Sequence, residues 1–263
     1  MHLMFFGDVV GRDGRDAIVK HVPLLRESLK LDAVIVNGDN AAGGFGITAA
    51  ICQDFFTAGV DVITGGDHIW DQKDIPGYIA HEKRLLRPHN FPPRTPGSGF
   101  VTVTTRSGAT LSVLHLLGQV FHREYLDSPF SCAERTLEGF TLTRQAQAIV
   151  VDMHAEATSE KNAMGYFLDG RVSAVVGSHT HVPTADARIL PAGTAYQTDT
   201  GMCGNYNSII GFSVEGPMQQ FLGKMRKSKM QPAEGNVTLR ALRIRTDDKT
   251  GLATEVEAIT LDA

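Results

Sequence analysis

Five times along this chain a short apolar run breaks off into residues of the types that bind metal ions. Leu3-Met4-Phe5-Phe6 leads to Gly7-Asp8, Val34-Ile35-Val36 to Asn37-Gly38-Asp39-Asn40, and Val62-Ile63-Thr64 to Gly65-Gly66-Asp67-His68. Ile149-Val150-Val151 leads to Asp152-Met153-His154, and Val175-Val176 to Gly177-Ser178-His179-Thr180-His181. Runs this short and this apolar read as buried strands. In open α/β sheets ligands bind in the crevice beyond the carboxyl ends of the strands, so such loops converge on one place. Taken singly, each is weak. An Asp after a strand is more often a turn former, Asn37–Asn40 reads equally as a plain turn, and a lone His154 as a buried, hydrogen-bonded imidazole. His179-Thr180-His181 is stronger, because residues two apart point the same way in extended chain and can face two ions. The joint occurrence decides for a metal centre.

The spacing between these loops supports a mostly parallel sheet with crossover helices. It predicts strands over Leu3–Phe6, Ala33–Val36 and Val60–Thr64. Helices are expected over Gly14–Lys30, with Pro23 inside it, and over Thr48–Ala58, with Thr48 as N-cap. Farther on, Pro88–Gly99 must be loop, and Val101–Thr105 with Thr110–His115 reads as a hairpin. A helix is expected over Ser131–Gln147, a strand over Ala148–Asp152, a helix over Ser159–Leu168 and a strand over Val172–Val176. Ile189–Thr198 and Val237–Arg245 suggest further strands, the last pairing with Thr254–Leu261. The whole is an α/β fold in one domain over residues 1–263.

The 263 residues, 42% apolar, are ample for a large core, and a net charge of -4 argues against stable nucleic acid binding or affinity for anionic membrane. No apolar stretch is long enough to span a bilayer, and Met1–Asp8 lacks the shape of a signal peptide. Cys52, Cys132 and Cys203 are far apart and without CxxC spacing, which fits a reduced, cytoplasmic setting. Mixed carboxylate and imidazole donors suit Mn, Fe, Zn, Ni or Co better than Mg or Ca, and the lack of cysteine points away from structural zinc.

Gly7-Asp8, Gly38-Asp39-Asn40, Gly66-Asp67-His68, His154 and Gly177-Ser178-His179-Thr180-His181 together resemble the calcineurin-like metallophosphoesterase superfamily. Gly7–Arg12, Asn37–Ala42, His154–Lys161 and His179–Asp186 resemble its YmdB-type bacterial branch, almost end to end. The resemblance implies a β-sandwich flanked by helices with a small added subdomain. It also implies two metal ions, Fe or Mn with Zn as an option, and hydrolysis of small phosphate esters such as 2′,3′-cyclic or 3′,5′-cyclic nucleotides. A homo-oligomer is compatible with it. Asp39 would bridge the ions, with Asp8, Asn40 and His181 around one and Asp67, His154 and His179 around the other. His68 would face substrate, protonating the departing alkoxide, while a hydroxide shared by the ions attacks phosphorus. A phosphomonoesterase with the same centre and a nucleotide-binding regulator with little turnover are the alternatives.

Two departures stand out. The branch has Glu where Asp39 stands and Asn where Asp67 stands. A third carboxylate takes two divalent ions, two carboxylates and a hydroxide from about +1 to about 0. Either one ion is then Fe(III), or anionic substrate binds less tightly. Many superfamily members follow this His with an acidic residue; here Ile69-Trp70-Asp71 follows, which leaves open whether Asp71 orients the ring.

Other motifs have plainer readings. Gly11-Arg12-Asp13-Gly14-Arg15 lacks the phosphate-loop spacing and reads as the start of the first helix. Glu156 and Glu160 read as an exposed helix start, Asp199 as a pocket-lining residue, and Cys203 and Trp70 as packing.

Overall fold

The apolar runs become the strands of two stacked sheets. The computed structural model describes residues 1–122, 126–223 and 230–263. The first half of the chain gives β1 (His2–Phe6), β2 (Asp8–Val9), α1 (Gly11–Ser28), β3 (Ala33–Asn37), α2 (Ala49–Ala58), β4 (Val62–Thr64), α3 (Ile75–Tyr78), β5 (Leu85–Leu86), β6 (Phe100–Thr104) and β7 (Thr110–Leu117). The second gives α4 (Pro129–Leu137), β8 (Ala148–His154), α5 (Thr158–Phe167), β9 (Ala174–Ser178), β10 (Arg188–Ile189), β11 (Ala195–Gln197), β12 (Met202–Cys203), α6 (Glu215–Phe221), β13 (Thr238–Thr246) and β14 (Ala253–Asp262).

One sheet runs β14-β13-β1-β3-β4-β5 and the other β10-β11-β9-β8-β7-β6. In the first, β1, β3, β4 and β5 are parallel and β13 is antiparallel to β1. In the second, β7, β8, β9 and β11 are parallel, with antiparallel β6 and β10 at the edges. Strand alternation sets the layers. Leu3, Phe5, Ala33 and Ile35 pack against Val113, Val150, Ala174 and Val176 of the other sheet. Their neighbours Met4, Phe6, Val34 and Val36 face Ile18, Val22, Cys52 and Phe55 of α1 and α2. On the far side Ile149, Val151 and Val175 meet Ala133, Leu137 and Met164 of α4 and α5. The order helix, sheet, sheet, helix is the expected sandwich. The described residues between Gly204 and Gly235, with α6, lie outside both sheets.

Several expectations shift. α1 begins at Gly11, earlier than Gly14, and runs through Pro23 to Ser28. Thr48 does cap α2, its side chain accepting the Ile51 N–H at 3.3 Å, and left-handed Gly59 closes the helix. The helix expected over Ser131–Gln147 stops at Leu137: Glu138 is extended and Gly139 has φ +68°, so turns fill the rest. The strand expected over Ile189–Thr198 is instead a hairpin, β10 and β11, broken where Gly193 turns back on Leu190. The β6–β7 and β13–β14 hairpins form as read, the Asp247 carboxylate holding the second turn through the N–H groups of Lys249 and Thr250. β2 and β12 pair in parallel, a ladder too short for any periodicity to announce.

Candidate metal centre

Asp39 leaves the end of β3 buried, its own N–H donating to Asn37 Oδ1 at 3.0 Å. Its Oδ1 accepts the His68 N–H at 2.8 Å, and its Oδ2 lies 3.6 Å from His154 Nε2. The chain leaving β4 crosses this carboxylate at Gly66, φ +58°, where a Cβ would sit 2.1 Å from Asp39 Oδ1. Only glycine fits there. The next residue, Asp67, puts Oδ1 2.9 Å from His154 Nε2 and 3.3 Å from His179 Nδ1. Asp8, at the start of β2, accepts the His179 N–H on both oxygens, at 3.1 and 3.2 Å. Three groupings bring donor atoms within 4.8 Å of one another: Asp67–His154–His179, Asp8–Asp39–His154 and Asp39–Asp67–His68. His154, assigned to one ion by resemblance, thus also lies against Asp8 and Asp39. His181 joins none of the three groupings; it pairs with Asn40, Nε2 to Oδ1 at 3.0 Å.

The protons in that pair can be placed. His181 Nδ1 lies 2.7 Å from the Ile210 carbonyl, which can only accept, so Nδ1 carries the hydrogen. Asn40 Nδ2 donates to the Gly44 carbonyl at 3.0 Å, which fixes the amide with Oδ1 toward His181. Burial holds the His181 ring below its ordinary pKa and therefore neutral. Two lone pairs then face each other at hydrogen-bond distance, an arrangement that a cation between them would turn from repulsive to favourable. His154 repeats the logic. Ser178 Oγ donates to Asp152 Oδ1 at 2.6 Å and so accepts from His154 Nδ1 at 2.8 Å, leaving the Nε2 lone pair facing Asp67.

The carboxylates point to the same need. Burial first, then Asp199, pushes Asp8 up to about 8, against the pull of the His179 N–H. Burial, then Asp67 and Asp8, raises Asp39 well above the ordinary range. Asp67 goes the other way: burial raises it, but the neighbouring histidines, His179 by a hydrogen bond and His68 by its charge, hold it below the ordinary range. Burial pulls His154 down to about 3 in spite of Asp67. For His179, burial lowers the pKa, and Asp67, Asp8 and Glu156 more than reverse it. Among the described residues no lysine or arginine pairs with Asp8, Asp39 or Asp67. Crowded dry carboxylates beside the neutral imidazoles of His154 and His181 fit divalent cations, and the mixed O and N donors fit Mn, Fe or Zn.

His68 stands at the mouth. Its Nδ1 lies 2.8 Å from Asp71 Oδ2, so the acidic residue does orient the ring, and Nε2 is 3.9 Å from Asp67 Oδ2. Phe45 presses on the ring edge-on, centroids 5.1 Å apart. Glu156, expected on an exposed helix start, reaches His179 Nε2 at 3.3 Å. Asp199 does not line the pocket but is buried beneath the histidine turn. Cys203 is buried, its thiol pushed up to about 12 by burial, which suits packing. Trp70 packs edge-on against Phe91, and Arg12 is exposed.

Sequence reasoning missed the network behind His154. Asn37 Nδ2 reaches Asp152 Oδ2 and Ser178 Oγ, both at 3.2 Å. Asp152 in turn contacts His115 Nδ1 at 3.2 Å, while His115 Nε2 accepts the Gly66 N–H at 3.0 Å. Asn37, Asp152 and Ser178 stood inside the quoted runs, and Asp152 shares a strand face with His154. His115 gave no signal, being a single imidazole in a largely apolar strand. His122 was also missed; its ring lies 4.9 Å from that of His179.

Comparison with known proteins agrees with this geometry. The model of the YmdB-like protein family matches residues 4–259. A 2′,3′-cyclic-nucleotide 2′-phosphodiesterase of Bacillus subtilis (strain 168) is 44% identical over 262 residues, covering 100% of this chain and 97% of the relative. A hypothetical protein from Thermus thermophilus superposes with a TM-score of 0.90 at 39% identity, covering 100% of this chain and 99% of that one. A phosphatase of Mycoplasma pneumoniae gives a TM-score of 0.90 at 33% identity, covering 100% and 93%. With its strand-end aspartates and histidines gathered at one point and its whole length matched, the chain belongs to the YmdB-like family of metallophosphoesterases.

Proposed function

We propose that this chain is a metal-dependent phosphodiesterase acting on small cyclic nucleotides, 2′,3′-cyclic ones foremost. The observation that carries the reading is the pair of facing lone pairs at His181 and Asn40, set beside the buried Asp8–Asp39–Asp67 cluster. On this reading Asp39 would serve both cations, with Asp8, Asn40 and His181 helping to hold one and Asp67, His154 and His179 the other. Fe or Mn is the metal we favour. Residues 1–263 then act as one domain, since both sheets feed one site, and the cytoplasm is its setting.

Two such cations, when bound, withdraw charge from a phosphoryl group and make water acidic enough to attack it at neutral pH. The chain's own residues do the rest. Asp71 holds the His68 Nδ1 hydrogen, so the imidazolium form can give its Nε2 proton to the oxygen leaving phosphorus and end as the neutral Nδ1–H ring. Ser178 and the Ile210 carbonyl fix the tautomers of His154 and His181, so that their Nε2 atoms face the centre. Phe45 restricts the His68 ring and gives the mouth an apolar wall beside the reacting group.

The test combines metal analysis with a substrate panel. Protein purified without chelator should carry Fe or Mn, lose activity in EDTA and regain it with Mn²⁺. It should hydrolyse 2′,3′-cyclic AMP and bis-p-nitrophenyl phosphate faster than p-nitrophenyl phosphate. Turnover of the monoester alone would replace the diesterase reading with a phosphatase. Metal-loaded protein inert on all three would make it a binding protein.

A further inference from the structure

Lys161 is wholly buried and so is its partner, Asp199, with Nζ donating to Oδ2 at 2.7 Å. The same Oδ2 accepts the Thr180 N–H at 3.0 Å, and Oδ1 accepts the Gly201 N–H at 2.8 Å. Thr180 lies between two residues in left-handed backbone, His179 at φ +100° and His181 at φ +65°. Side-chain-bearing residues persist there only where their surroundings over-determine them. Three fixed points do so here: Asp8 takes the His179 N–H, Asp199 the Thr180 N–H, and Ile210 the His181 ring. Asp8 belongs to the proposed metal shells, but Asp199 does not. Without Lys161, Asp199 would be a second buried, unpaired carboxylate close to Asp8. The lysine also comes from α5, the helix that follows His154, and its stem passes Gly177, whose Cβ would lie 3.0 Å from Lys161 Cδ.

We infer that the Lys161–Asp199 pair is a clamp that holds the strained His179–Thr180–His181 turn with both imidazoles aimed into the metal centre. Lys161 is a positioning residue: it touches neither the cations' proposed ligands nor the substrate, and acts through Asp199 and the Thr180 amide. One pair thereby ties the helix after His154 to the turn bearing His179 and His181. The inference rests on the metal-centre reading above.

The experiment uses the full chain and Mn²⁺ as the probe. The double variant Lys161→Met/Asp199→Asn removes both charges while nearly keeping both shapes, so no buried charge is stranded. Its unfolding midpoint is followed in EDTA, and its Mn²⁺ affinity by calorimetry. The expected result is a folded protein whose midpoint stays near that of the wild type but whose Mn²⁺ affinity falls roughly 10–100-fold. Unaltered affinity in the folded double variant overturns the inference. So does failure to fold in EDTA, which would make the pair a prop of the fold. Wild-type protein that takes up no Mn²⁺ sinks the metal-centre reading, and the clamp with it; a clamp that fails while the wild type binds Mn²⁺ leaves that reading standing.

Discussion

His68 is held at both ends, by Asp71 through Nδ1 and by the edge of Phe45, and two single-residue expectations follow from its surroundings. Asp71→Asn keeps the size of the side chain but loses the charge behind the imidazole. Steady-state kinetics should show kcat on 2′,3′-cyclic AMP about 10-fold lower or worse, within the span attributed to a positioned acid or base. Mn²⁺ affinity should hold, because Asp71 lies outside the three donor groupings. Asp67 matters for a different reason. It adds a third carboxylate beside Asp8 and Asp39, and it contacts both His154 and His179. With Mn²⁺ bound, Asp67→Asn should lower KM for anionic diesters; with iron bound, spectroscopy should show less Fe(III). A variant unchanged in both removes the charge argument.

At the scale of elements, the ends of the strands were legible because an apolar run that stops at Asp or His is both a burial pattern and a chemical one. All the proposed ligands except Asn40 and His181 fall in the groupings of donor atoms that the fold assembles. What stayed hidden was carried by single residues or short pairings. Gly139 ends α4 and Gly193 splits an expected strand in two, yet a glycine inside a periodic segment does not announce which it will do. Asn37, Ser178, Asp152 and His115 come from β3, β9, β8 and β7, so their network exists only once two sheets have stacked. Gly177 shows how closely neighbouring segments approach within one sheet. A Cβ there would lie 1.7 Å from the Thr198 carbonyl oxygen, and the Thr200 N–H donates to the Gly177 carbonyl at 2.9 Å. Gly177→Ala must push β9 from the chain leaving β11, and should cost about 1–3 kcal/mol in thermal or urea unfolding. A variant as stable as the parent would show that the backbone there can give way freely.

For the molecule as a whole, the buried acids set a pH dependence whose sign can be worked out. Asp8, at about 8, and Asp39, well above its ordinary range, bind protons in the folded state that the unfolded chain has released. Their contribution to stability is fully present below the unfolded carboxylate pKa and is lost as pH rises toward 8. His179, raised, acts in the same sense above its ordinary value. His154, lowered to about 3, acts oppositely, but only below its unfolded pKa of 6.5. Between pH 6.5 and 8 the acids and His179 therefore act unopposed by His154. In EDTA, urea unfolding should weaken by on the order of 1 kcal/mol per pH unit across that window. Mn²⁺ should flatten the slope by binding the deprotonated acids. A flat profile in EDTA would mean the acids are better solvated than their burial implies.

β1 lies between β3 and β13, so one flank of the strand that leads to Asp8 is completed by residues 238–246. During translation β3 can join β1 early, but the opposite flank stays bare until residues 238–246 have left the ribosome. A nascent or prematurely stopped chain ending short of Thr238 would present that open backbone to any neighbouring strand, an invitation to self-association that the finished hairpin withdraws.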